Sequence, residues 1–363
     1  MLFRSDRFME WKTTDGSYET TRWADFNTFF EGIFEKSRFI DILKNFILYS
    51  VDSGNKIKIL GAYHQYFAVN KAVKSTLDAI GRDGKAGVFW HTQGSGKSLS
   101  MVFYVNKLQQ ILESPTFVVV TDRNDLDDQL FGQFSKCSGF LRQKPIQATS
   151  MKNLKDLLNN RQANGIFFTT MQKFDDYEDS LTDRDDVIVI SDEAHRSQYG
   201  LEEKADPKTG EIKIGAARRI RNALPNATYI GFTGTPISKQ DKSTREVFGN
   251  YIDIYDMTQS VEDGATVPIS YESRIADISL DEPILNLIDR EYDKLALQAE
   301  SYNIERSKRE LSKMESLLGA PEIIEDICRD IVNHYENNRQ QELSGKAMIV
   351  AYSRSSKDRK SVV

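Results

Sequence analysis

The chain has 363 residues, 39% of them apolar and 28% charged, an ordinary globular composition with room for about two domains. Its 48 basic and 54 acidic residues leave a formal charge of −6, which excludes a wholesale positive coat but not a local basic groove. No apolar run nears the ~20 residues of a membrane span, and charges at Arg4, Asp6, Arg7 and Glu10 interrupt any secretory signal.

Cys137 and Cys328 lie far apart and match no metal or redox spacing, as expected of a chain in a reducing cytoplasm. In chain order, residues 1–55 are rich in aromatic side chains. From Trp23 to Tyr49 apolar positions recur every three or four residues, which predicts one or two packed helices. Ser53-Gly54-Asn55 is a loop signal. From 56 to 271 the pattern changes. Short β-rich runs fall at 87–90, 117–121, 165–170, 187–191 and 228–232, separated by helix-compatible stretches at 99–112, 151–160 and 215–224. Unbroken apolar strands alternating with helices predict an α/β domain, a parallel sheet covered on both faces. Ligands of such sheets bind at the carboxyl ends of strands. Residues 272–345 are charged and helical in pattern, including a periodic piece at 321–335, and predict a solvated linker. A new strand starts at Ala347, opening a last segment, 346–363.

The residues that follow the β-rich runs carry the chemistry. His91-Thr92-Gln93-Gly94-Ser95-Gly96-Lys97-Ser98 lies between a strand and a helix. Glycines there let backbone N–H groups turn toward phosphates, and the helix N-terminus adds a favourable dipole. Lys97 would reach the β- and γ-phosphates and the Ser98 hydroxyl would ligate Mg²⁺. The pattern departs from the usual one at His91, where glycine is expected. At the next site a β-branched strand ends in Asp192-Glu193. Asp192 suits a metal or its water shell, and Glu193 suits orienting and deprotonating an attacking water. Gly231-Phe232-Thr233-Gly234-Thr235-Pro236 follows a third strand; alone it is a turn, but after the other two it reads as a coupling element.

Together these three segments resemble motifs I, II and III of superfamily 2 helicases and translocases. WHTQGSGKS (90–98), VTDRNDLDDQL (120–130), DEAHRSQYG (192–200), GFTGTPI (231–237) and EDGATVP (262–268) are similar to the motor (R) subunit of type I restriction-modification enzymes. The resemblance runs from about Trp11 to Arg354. It implies a RecA-like P-loop NTPase domain over 56–271, ATP and Mg²⁺ as cofactors, double-stranded DNA as track, and M (methyltransferase) and S (specificity) subunits as partners. Gly94, Ser95, Gly96, Lys97, Ser98, Thr233 and Thr235 would bind nucleotide, and Gln65 resembles the adenine-reading glutamine of a Q-motif-like element. Thr121, Asp122 and Arg123 resemble motif Ia, and Thr170 belongs to a later DNA-contacting motif; with His195 and Arg196 they would line or couple to the DNA path. Hydroxyl and amide groups of this kind bond phosphates without reading sequence.

Two departures follow from the same resemblance. A nuclease domain normally precedes the motor; Glu10-Trp11-Lys12 has the acid-x-Lys form, but Asp6 is too near to leave space for the strand hairpin, so it is rejected as a cleavage site. Gly345–Arg354 resembles the first strand of a second RecA-like domain, so motifs V and VI, with the arginine finger, are expected to be missing. The fragment is then expected to bind nucleotide but neither translocate nor cleave DNA. A stand-alone helicase, a catalytically incomplete ATP- or DNA-binding module, and a kinase or metabolic ATPase are the competing readings.

Overall fold

The computed structural model describes residues 10–17, 26–52, 54–122, 124–160, 164–174, 179–194, 204–205, 212–213, 216–235, 242–269, 271 and 321–338. Contacts divide the chain into two compact units, Met1–Pro268 and Ile269–Val363.

In the first unit, helices α1 (Phe26–Ile33) and α2 (Lys36–Asn45) precede an antiparallel hairpin of β1 (Ile47–Asp52) and β2 (Asn55–Leu60). Glu35 starts α2 by accepting the Ser37 and Arg38 N–H groups, the usual way of satisfying orphan donors at a helix start. The hairpin turns at Gly54, whose φ of 84° suits glycine. Tyr49, included in the expected helical stretch, therefore lies in a strand. Local apolar spacing cannot separate a short helix from a short strand once Ile, Leu and Tyr dominate both.

The chain then alternates strand and helix: α3 (Tyr63–Ala79), β3 (Lys85–His91), α4 (Lys97–Ile111), β4 (Thr116–Thr121), α5 (Asn124–Lys136), α6 (Ser138–Leu141), β5 (Ile146–Gln147), α7 (Met151–Asn159), β6 (Gly165–Thr170) and β7 (Val187–Ser191). A short antiparallel pair, β8 (Lys204–Ala205) and β9 (Ile212–Lys213), precedes α8 (Ala216–Ala223), β10 (Thr228–Thr233), α9 (Lys242–Phe248), β11 (Tyr251–Tyr255) and α10 (Met257–Glu262). Seven strands form one sheet in the order β11-β3-β10-β7-β4-β6-β5, and every pairing is parallel.

The apolar runs are explained by what each face meets. Phe117 and Val119 of β4 join a cluster that includes Phe103 and Leu108 of α4 and Phe134 of α5. Val118 and Val120 join the other cluster, with Leu154 of α7 and Ile220 of α8. Successive side chains of a strand point to opposite faces, so a strand covered on both faces must be apolar throughout. The expected boundary near residue 55 does not separate two cores. Trp11, Ile42, Phe46 and Leu48 share one buried cluster with Tyr66, Phe67 and Phe103, and Lys107 of α4 bonds Asp41 of α2 at 2.9 Å.

The second unit contributes helix α11 (Pro321–Asn338). The strand expected from Ala347 lies outside the described residues.

Candidate nucleotide-binding site

Because the sheet is parallel, the carboxyl ends of its strands share one edge, and three adjacent strands bring the expected chemistry there. In β3 and β10, Trp90 pairs with Thr233. In β10 and β7, Gly231 pairs with Ser191. The loop after β3, the acidic pair after β7 and the Thr-Gly-Thr turn after β10 are thus neighbours by strand order. The contacts are close. A Cβ on Gly234 would lie 2.7 Å from Lys97 Nζ, and one on Gly231 would lie 2.8 Å from the Ala194 Cβ. Glycine at both positions lets the third strand meet the other two segments.

The loop curls through Gly94 (φ 89°) and Gly96 (φ 85°), conformations a side chain would strain. Gly96 caps α4, whose first residues are Lys97 and Ser98, both half-buried. Ser95 Oγ and Lys97 Nζ donate to the Thr92 carbonyl at 2.7 and 3.4 Å. Burial lowers the Lys97 pKa, while Glu193 and then Asp192 oppose that shift. The first loop residue, His91, accounts for its own departure from the motif. It ends β3 without a positive φ, is fully buried, and donates from Nε2 to Asp253 Oδ2 of β11 at 3.0 Å. The side chain thus serves the neighbouring strand, and no glycine conformation is required there.

Asp192 is anchored by its N–H to the Val120 carbonyl, 2.9 Å away. Its Oδ1 accepts the Glu193 N–H at 3.0 Å. Burial first, and the Glu193 charge next, push its pKa up to about 6, against the Glu193 N–H and Lys97. Glu193 has a φ of 48°, sparsely populated for a non-glycine residue and typical of strain kept at functional positions. Thr233 is buried and accepts the Thr235 N–H at 3.3 Å, whereas Thr235 is exposed.

Other expected positions fall differently. Gln65 is buried and its amide is already used. Oε1 accepts the Ala62 N–H at 3.0 Å, and Nε2 donates to the Gly96 carbonyl at 3.0 Å and to Ser100 Oγ at 3.4 Å. In this geometry Gln65 is a strut between α3 and the loop. Thr121 and Thr170 are paired across β4 and β6 and buried. Thr121 Oγ1 donates to the Thr169 carbonyl at 3.4 Å. Both residues are buried where the two strands end. Asp122 is half-exposed, and its carbonyl accepts the exposed Gln172 amide. Arg123, His195 and Arg196 lie outside the described residues. Lys12, weighed for a nuclease motif, instead binds Asp263 at 2.7 Å, and Trp11 packs on Tyr63, Tyr66 and Phe67.

The sequence reading missed this supporting side. His64, Asp253, Tyr255 and Asp263 converge behind the loop from elements up to 199 residues apart along the chain, Asp263 and His64 being the extremes. EDGATVP was the signal present, but nothing in its spacing gave Asp263 a partner.

The SWI2/SNF2 ATPase family matches residues 64–305. The endonuclease subunit of the type I restriction enzyme HindI of Haemophilus influenzae is 43% identical over 361 residues, covering 96% of this chain and 33% of that protein. A Methanocaldococcus jannaschii protein, provisionally named the MjaIXP endonuclease subunit of a type I restriction enzyme, is 34% identical over 93% of this chain and 31% of its own length. The chain therefore spans about a third of the curated relatives it matches. Among the described residues, no helix is long and apolar enough to cross a membrane. With the glycine-rich loop after β3, the acidic pair after β7 and the Thr-Gly-Thr turn after β10 on one edge of a parallel sheet, the chain belongs to the SWI2/SNF2 ATPase family.

Proposed function

We propose that this chain is the ATP-binding part of the motor of a type I restriction enzyme, coupling Mg·ATP hydrolysis to movement of double-stranded DNA, alongside M and S subunits in the cytoplasm. The observation that carries the reading is the convergence of Lys97, Asp192-Glu193 and Thr233–Thr235 on one sheet edge. Their condition fits the cofactors. Lys97 is a cation depressed by burial, and Asp192 is a carboxylate raised by burial and by Glu193. A polyanion beside the first and a divalent cation beside the second would relieve both costs. Ser98 and Asp192 would hold the Mg²⁺, which would supply positive charge against that developing on the phosphates.

The protein groups then divide the work. The loop N–H groups and Lys97 bind and orient the phosphates. Glu193 accepts a proton from the attacking water, and its strained backbone sets the direction of that carboxylate. Thr233 and Thr235, which flank Gly234 beside Lys97, would sense the terminal phosphate. Domain limits at 1–55 (a helical module docked on the motor domain), 56–271, 272–345 and 346–363 belong to the same proposal.

The test is hydrolysis by a DNA-stimulated assembly containing this chain. Glu193→Gln retains Mg·ATP and loses turnover by about 10²–10⁴-fold; turnover at the unmutated rate would remove Glu193 from its role. For the 363-residue chain alone, triplex displacement and supercoiled-plasmid cleavage are expected to be silent. Robust activity in either would show that its catalytic parts have been misplaced.

A further inference from the structure

A loop that aims its N–H groups at an anion must send its carbonyls elsewhere, and buried carbonyls need donors. Here two consecutive carbonyls are met by two consecutive side chains of α3. His64 Nε2 donates to the Ser95 carbonyl at 3.1 Å, and Gln65 Nε2 donates to the Gly96 carbonyl at 3.0 Å. The Gly96 carbonyl also receives the Leu99 and Ser100 N–H groups, so α4 itself holds it. Ser95 precedes that helical acceptor, and His64 holds it from outside the loop.

The His64 ring is itself fixed. It is 1% exposed and stacks on Tyr255 at 4.1 Å with 7° between planes. Tyr63 meets it edge-on at 5.7 Å. The Tyr255 carbonyl accepts the Thr92 N–H at 2.9 Å, so one residue braces the loop directly at Thr92 and, through the stacked ring, at Ser95. Tyr255 is anchored in turn. Its hydroxyl donates to Asp263 Oδ2 at 2.7 Å, as does that of Tyr63, while Lys12 binds Oδ1. Past Asp263 the chain returns to the loop, where Thr266 Cγ2 lies 3.1 Å from the place a Gly94 Cβ would occupy.

His64 Nδ1 is buried with no partner among the described residues. That bare nitrogen is a cost a phenylalanine would not carry. The imidazole is therefore present for its single Nε2–H, in the tautomer this bond requires. We propose that His64 is a positioning residue of the phosphate loop. It holds the Ser95 carbonyl away from the phosphates, so that the loop's N–H groups stay aimed at them. Tyr255 and Asp263 fix its ring. The proposal rests on reading this loop as the nucleotide site.

The experiment titrates the 363-residue chain with Mg·ATP calorimetrically and follows amide hydrogen exchange of residues 92–97 without nucleotide. His64→Phe keeps the stacked ring and removes the donor; it weakens binding about tenfold, one lost hydrogen bond's worth, and speeds loop exchange. His64→Gln places an amide Nε2 near the same carbonyl and returns affinity to within about threefold of the parent. Should His64→Phe fail to fold, His64→Met removes the donor with less bulk and carries the same expectation. Parent-like affinity and exchange in a folded donor-less variant, or no recovery in His64→Gln, would overturn the positioning role. Lys97→Ala run in parallel separates the two levels. If it too binds as the parent does, the nucleotide reading falls along with the proposal; if it alone is weak, only the role of His64 falls.

Discussion

Strand β3 has two neighbours, and they serve its loop in opposite ways. On the β10 side lie Gly234 against Lys97 and, one strand further, Asp192 and Glu193. These groups are electrostatically uncomfortable: a half-buried lysine lowered in pKa, a half-buried aspartate raised, and a glutamate at positive φ. On the β11 side the charges are paired. Burial alone would raise Asp253, but His91 and Lys71, at 3.0 and 2.6 Å, outweigh it and hold the carboxyl below its usual range. Asp263 is held by Lys12 and two tyrosine hydroxyls. On one flank burial shifts Lys97 and Asp192 away from their ordinary ionisation, and on the other close ion pairs outweigh burial. Stability and activity are expected to separate along that line.

The sharpest way to break the comparison is a substitution that belongs to both flanks. Phe89 lies in β3 between the two, fully buried and stacked on Phe232 at 4.6 Å. Phe89→Ala costs about 3–5 kcal/mol of stability in chemical denaturation, and a loss below ~1 kcal/mol would mean that β3 is not the common core. On the paired flank, Asp263→Ala removes the carboxylate shared by Lys12 and two tyrosine hydroxyls and costs roughly 3 kcal/mol. On the shifted flank, Asp192→Asn and Lys97→Met remove charge that burial disfavours and leave thermal stability equal or higher without ligand. A large destabilisation by either would erase the contrast.

A smaller effect tests the same contrast by pH, in metal-free buffer. His64 is buried and faces His91, Asp263 and Asp253; burial, then His91, lower its pKa from 6.5 to about 4. Between those values the unfolded chain binds the extra proton, so this group makes stability rise with pH. Asp192 faces Glu193 and Lys97, and its pKa rises from 3.8 to about 6. Between those values the folded chain binds the extra proton, so this group makes stability fall as pH rises. His64→Gln removes the first slope and Asp192→Asn the second. Slopes that change with the same sign in the two variants would contradict the assignment.

The two flanks also differ in how far they were legible. The shifted flank was written in local motifs, because Asp192 directly follows a strand, Thr233 ends one, and Lys97 opens the helix after a glycine-rich loop. Gly87, which opened one expected strand, proved to lie inside β3, and the central strands otherwise matched their apolar runs closely. The paired flank was illegible because its contacts cross the whole domain: Lys12 meets Asp263, Lys71 meets Asp253, and His64 meets Tyr255. No periodicity marks such pairs. The same reason explains Thr121 and Thr170. Their pairing across β4 and β6 and their burial depend on the register of two strands about 50 residues apart, which no local pattern records.

The most direct test of the central claim is a calorimetric titration of Mg·ATP into the chain and its Lys97→Ala variant, with folding checked by melting. If the edge at β3, β10 and β7 is the nucleotide site, the variant melts at or above the parent temperature while binding weakens by about 1.5–3 kcal/mol, roughly ten- to more than a hundredfold. Unchanged affinity in a folded variant would contradict the assignment of this loop and with it the division between the two flanks.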